Sequence, residues 1–208
     1  VVIDDYATIT AAAGTDGIRG INSGTGTITI TAESGATISA GRFGMAAIGY
    51  NGNNITVTNY ATVNGGSAAI DATTTASGIV SIDNFGILIG NVISSNVTFH
   101  NELGALWYVS GGSSFATTGA DALINDGTIN LQSGTFNVEA SVTGAGTFTI
   151  ASGSTLEFGS SVATGTTVSF LGAGGPLRLD NSLTALFNGQ ISGLDGTALS
   201  HDNSDLRD

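Results

Sequence analysis

The sequence has no cysteine, so disulfides and thiolate chemistry are both excluded. It has no lysine either: its four basic residues are Arg19, Arg42, Arg178 and Arg207. Against them stand 16 acids, which gives a net charge of −12. A surface of that sign does not neutralise phosphates, so nucleic acid is a poor partner, and anionic membrane surfaces repel it. No apolar run approaches the ~18 residues of a transmembrane helix. The opening Val1-Val2-Ile3-Asp4-Asp5 lacks the basic flank and apolar stretch of a signal peptide. A single proline in 208 residues argues against a Pro/Gly low-complexity chain. Amphipathic helix patterns built from good helix formers are also missing.

What remains is small and weakly polar. Glycine occurs 32 times, and alanine, serine and threonine fill much of the rest. Hydrophobic residues make up 41 % of the chain, too many for disorder.

A short template recurs through this composition: apolar, polar, apolar, polar, then Asn, Asp or Ser. It reads Ile28-Thr29-Ile30-Thr31-Ala32, Ile55-Thr56-Val57-Thr58-Asn59 and Val80-Ser81-Ile82-Asp83-Asn84. Val97-Thr98-Phe99-His100-Asn101, Ala122-Leu123-Ile124-Asn125-Asp126 and Phe148-Thr149-Ile150-Ala151-Ser152 continue it. With Val1 to Asp5 first and a weaker eighth copy at Val168-Ser169-Phe170, the period is about 25 residues with slippage. Alternation within a copy is the signature of a strand with one buried face. Ile3, Ile30, Val57, Ile82, Phe99, Ile124 and Ile150 form one inward column. The fifth column, Asp5, Ala32, Asn59, Asn84, Asn101, Asp126 and Ser152, reads as the corner after the strand, where such side chains bond nearby backbone. A second short strand ends at Ile9, Ile38, Val63, Leu88, Ile129 and Leu156, and a third apolar site falls at Ile21, Ile48 and Ile70.

Three short strands and three corners per repeat describe one coil of a single-stranded parallel β-helix, here of about eight irregular coils. An antiparallel β-sandwich also suits strands at this spacing, but it does not repeat one template so often. The pattern predicts β-helix repeats over 1–180. Over 181–208 it predicts a C-terminal strand and an acidic polar tail, serving as a cap or as a junction to a further repeat. The chain enters directly on a repeat at Val1, so both ends read as cuts through a longer array or as docking faces.

The copies Ile55-Thr56-Val57-Thr58-Asn59-Tyr60-Ala61-Thr62-Val63 and Leu123-Ile124-Asn125-Asp126-Gly127-Thr128-Ile129 resemble the repeats of autotransporter passenger domains. The segment from Leu177 through Phe187-Asn188-Gly189-Gln190-Ile191 to Leu194 is similar to repeat endings of large bacterial β-strand-repeat surface proteins. The resemblance implies a right-handed parallel β-helix, secreted or held on the bacterial surface. Within these 208 residues no membrane barrel is expected after the repeats, a departure from the pattern of a complete autotransporter.

Chemistry-bearing residues are few, and no catalytic residue is assigned. His100 falls in the outward polar column between Asp83 and Asn125, where a solvated ladder residue is expected. His201 lies in the polar tail. Enzymes of this fold that cleave acidic polysaccharides need positive charge, and with no lysine and four scattered arginines such a substrate is electrostatically disfavoured. Calcium is the ion most compatible with the acidity, and Asp202, Asp205 and Asp208 form a local oxygen cluster, although a solvated tail explains them as well. Trp107 and Tyr108 are the one large aromatic pair. Exposed, they would stack on sugars; alternatively one ring fills the core where a short coil disturbs the period. Asn54-Ile55-Thr56 and Asn96-Val97-Thr98 match glycosylation acceptors by short motif alone.

These features predict a non-enzymatic stalk or adhesin-like segment, presenting polar faces to extracellular glycans or proteins and needing no cofactor. Self-assembly by end-to-end coil stacking into a filament, and a glycan-active β-helix enzyme, are the alternatives.

Overall fold

The structure is a computed structural model that describes residues 1–75, 77–116, 121–172, 175–180 and 186–193, and the backbone of 204–207. Among these residues there is no helix, and every strand pairing is parallel. The strands wind as a β-solenoid of about 7 turns, close to the eight expected and incompatible with an antiparallel sandwich. The chain divides into two compact units, Val1–His100 and Asn101–Asp208.

In the first unit a turn carries three strands, one in each of three sheets. The first sheet takes β1 (Val2–Asp5), β4 (Ile28–Ala32), β7 (Ile55–Asn59) and β10 (Val80–Asn84). Its register is the one the template predicts: Ile3 pairs with Ile30, Ile30 with Val57, and Val57 with Ile82. Ile30, Val57 and Ile82 are fully buried, because alternation sends every second side chain to the same face. The second sheet takes β2 (Thr8–Ala11), β5 (Thr37–Ala40), β8 (Thr62–Gly65) and β11 (Ile87–Ile89), with Ile9, Ile38, Val63 and Leu88 in one column.

The third sheet takes β3 (Ile18–Asn22), β6 (Phe43–Gly49), β9 (Ala68–Thr74) and β12 (Val92–Ser94). Here the expected column is corrected. Ile70 pairs with Met45 rather than Ile48, and the buried column runs Ile18, Met45, Ile70, Val92. Ile21 and Ile48 pair with each other on the other face, and Ile21 is exposed. β6 and β9, at seven residues each, are longer than the template, so one apolar residue per copy does not fix which face is inside. Gly65 precedes the turn into β9, where a Cβ would collide with the Ala68 carbonyl.

The second unit is built from shorter turns. β14 (Leu106–Val109), β17 (Thr128–Leu131), β20 (Thr147–Ile150), β22 (Thr167–Phe170) and β24 (Gln190–Ser192) pair in sequence. So do β15 (Ser113–Phe115), β18 (Thr135–Val138), β21 (Thr155–Phe158), β23 (Leu177–Asp180) and β25 (Ser204–Arg207). A third sheet takes β16 (Ala122–Asn125) and β19 (Ser141–Thr143). The seventh and eighth template copies, at Phe148 and Val168, therefore belong to the sheet of Trp107 and Ile129, not to the sheet the first copies build. The sixth copy is shifted by one residue: Leu123 and Asn125 are buried, and Ile124 is only half-buried. A one-residue slip exchanges the faces of a strand, and the template cannot detect it where apolar residues stand side by side.

Candidate functional site

The fifth template column is an internal ladder. Asn59 and Asn84 are fully buried, and Asn59 Nδ2 donates to Asn84 Oδ1 at 2.8 Å. Each carboxamide also turns the chain: Asn59 Oδ1 accepts from the Ala61 N–H at 3.0 Å, and Asn84 Oδ1 from the Gly86 N–H at 3.2 Å. In the second unit Asn101 Nδ2 donates to Asn125 Oδ1 at 2.8 Å, so Asn125 and not Asp126 holds this position. Buried amides are stable here because their hydrogen-bonding groups meet partners.

The residue after the ladder points outward and defines an aromatic corner. Glu33 N donates to Asp5 O at 2.8 Å, Tyr60 N to Ala32 O at 2.7 Å and Phe85 N to Asn59 O at 2.8 Å. Tyr6, Glu33, Tyr60 and Phe85 thus occupy successive rungs. The Tyr60 and Phe85 rings stack with centroids 4.8 Å apart and planes 14° from parallel, matching the spacing between paired strands. Both stay exposed, at 43 % and 44 %, and Tyr6 is 74 % exposed. The sequence reading did not single out this column. Reading the template one residue further, to its sixth position, would have aligned Tyr6, Glu33, Tyr60 and Phe85.

A charged cluster lies on the outward side of the third sheet. Arg42 donates to Asp16 through Nε at 2.6 Å and through a terminal nitrogen at 2.5 Å, and Arg19 approaches Asp16 at 3.6 Å. The Arg42 guanidinium lies 4.6 Å from the Phe43 ring centroid. Its hydrogen bonds hold the Asp16 carboxyl below the usual carboxylate range. Asp71 is 8 % exposed, and its Oδ1 is buried without a hydrogen-bond partner. Burial pushes its carboxyl above the usual range, against a hydrogen bond from Thr73 and the charge of Arg42. Asp83, half-buried in β10, is likewise raised by burial and lowered in part by the charge of His100.

Trp107 is fully buried, edge-on to Phe115 at 5.7 Å and Phe136 at 5.3 Å, so its ring belongs to the core. Tyr108, half-buried on the opposite face of β14, does not join it. Asp202 and Asp208 lie outside the described residues, as does His201. Asp205 is in β25, whose backbone pairs with β23 opposite Arg178. The two glycosylation-like asparagines serve the backbone: Asn54 Oδ1 accepts from Ile79 N, and Asn96 Nδ2 donates to Gly78 O. Among the described residues no helix is long and apolar enough to cross a membrane.

Comparison with family models, with curated proteins and with solved structures finds no match to this chain. The β-helix repeat architecture therefore rests on the strand register itself.

Proposed function

We propose that this chain is a non-enzymatic structural and adhesive segment of a secreted or surface-exposed bacterial protein, of the kind autotransporter passengers supply. The observation that carries the reading is the chemistry of the outward columns. Thr29, Thr56 and Ser81 line one face of the first sheet, and Thr8, Thr37 and Thr62 head the strands of the second. The backbone is satisfied internally, and the sheets hold hydroxyls at a fixed spacing of about 4.8 Å. Such a face contacts a glycan or a protein without any moving part. β-Branched threonine also suits an exposed strand position.

The test is to immobilise the purified chain and probe it with a panel of extracellular glycans and proteins, with a hydrolysis assay run on every ligand that binds. Reproducible capture without turnover supports the reading. Turnover of a captured glycan would overturn it in favour of an enzyme.

A further inference from the structure

We propose that the Tyr6–Glu33–Tyr60–Phe85 corner is a docking stripe for an arginine-bearing segment of a protein partner. The inference rests on the contact reading above and names the chemistry of one contact.

Tyr60 and Phe85 cover each other's inner faces, so each offers its edge and its far face. The far face of Tyr60 is turned to the preceding rung, which carries Glu33. Among the described residues the Glu33 carboxylate has neither a hydrogen bond nor an ion pair. An aromatic face is the negative part of the ring quadrupole, and a carboxylate beside it adds charge of the same sign. A cation that is itself flat satisfies both groups at once. The guanidinium does so best, because it stacks on a ring while its edge donates to a carboxylate.

Charge complementarity extends beyond these rungs. Asp4 lies on β1 and Asp83 on β10, the strands that lead into Tyr6 and Phe85. The unit's two arginines, Arg19 and Arg42, are both drawn to Asp16 beside the third sheet. His100 lies close enough to Asp83 for its charge to act on that carboxyl. A neutral sugar would use a ring face and could donate a hydroxyl to Glu33, but it would leave the negative charge uncompensated, and a uronate would be repelled.

The test uses the whole chain and three short acetylated peptides: Gly-Arg-Gly-Arg-Gly, its lysine counterpart and its citrulline counterpart. A neutral oligosaccharide is titrated alongside, and binding is followed by NMR shifts of the Tyr6, Glu33 and Tyr60 signals. The proposal expects the arginine peptide to bind more tightly than the lysine peptide and the citrulline peptide to be silent. Tyr60→Ala and Glu33→Gln, each with an unchanged far-UV circular dichroism spectrum, should weaken the arginine peptide roughly two- to fivefold. Equal binding of the arginine and lysine peptides, indifferent to Tyr60→Ala, would reduce the effect to diffuse acidic attraction and overturn the proposal. So would a neutral oligosaccharide that shifts these signals while the arginine peptide does not. If the arginine peptide fails but the chain still captures a member of the extracellular panel, this proposal falls and the contact reading stands.

Discussion

The two units solve one packing problem in opposite ways. In the first, Thr8 pairs with Thr37 and Thr37 with Thr62, so turns take 29 and then 25 residues. In the second, Thr128 pairs with Thr147 and Thr147 with Thr167, and turns take 19 and then 20. The long turns send many small side chains inward: Ala32, Ala40, Ala47, Ala68 and Ala72 are all buried beside Ile30, Val57 and Ile82. The short turns supply fewer inward positions, and each is filled by more volume: Trp107, Phe115, Phe136, Phe148 and Phe158. Interiors pack to a nearly constant density, so residue number and residue size trade against each other. The second unit should therefore be vulnerable to cavities and the first to added bulk.

The largest effect is expected where volume is removed from the second unit. Trp107→Ala should cost about 3–5 kcal/mol of stability, read by denaturant unfolding followed with far-UV circular dichroism. A loss below about 1 kcal/mol would mean that the aromatic core is not filled as described. Next comes the asparagine pairing, which each unit has within itself. Asn84→Ala leaves the Gly86 N–H and one Asn59 amide proton short of an acceptor, and should cost toward the upper end of about 1–3 kcal/mol. If it is neutral, the ladder is not a stabilising device. In the first unit Ala47 shares its inward column with Gly20 and Ala72. Ala47→Leu should cost about 1–2 kcal/mol by overpacking, although it adds apolar area. A stabilised variant would show that the long turns hold spare volume, and the contrast between the units would fail.

The smallest effect sharpens the comparison by pH. The folded state binds the Asp71 proton more tightly than the unfolded chain does, because burial opposes ionisation. That contribution favours folding in acid and is lost as the pH rises through the raised folded value. Asp16 acts in the opposite sense: its stabilisation is present above the ordinary value of 3.8 and is lost as the pH falls through the lowered folded one. Asp71→Asn should thus melt slightly above the parent at neutral pH, with the difference closing below the carboxylate range. Melting below the parent at pH 7 would show that the ionised carboxylate is held by a favourable partner.

Much of this was readable from residue order. The columns Ile3–Ile30–Val57–Ile82 and Ile9–Ile38–Val63–Leu88 stand where the repeat puts them: polar residues flank Ile30, Val57, Ile82, Ile9, Ile38 and Val63, while Ile3 and Leu88, beside apolar Val2 and Ile87, keep the register of the strands they pair with. The reading slipped at Leu123-Ile124, where two apolar residues adjoin and either could face inward. It slipped again at Phe148, because one template serves two sheets once the turns shorten. Trp107 was placed by its neighbours Phe115 and Phe136, which are 8 and 29 residues away in sequence and give no local sign of contact. The asparagines were recognised as corner residues but not as buried ones, since their bond to the next amide is local and their bond to each other is not. The aromatic corner is not part of the five-residue template: Tyr6, Tyr60 and Phe85 stand at its sixth position, where Glu33 interrupts the aromatic pattern.

The Asn59–Asn84 bond also says how such a chain can change over generations. Its partners are equivalent points on successive turns, each followed by an exposed ring and then by the same change of direction. A loss of residues 60–84 would join Asn59 to Phe85 and leave every remaining pair in step. A loss of half that length would put apolar side chains into solvent along the rest of the unit. The natural quantum of insertion and deletion is therefore the whole turn, and a lineage built on it can vary its reach by recombination without inventing a new core.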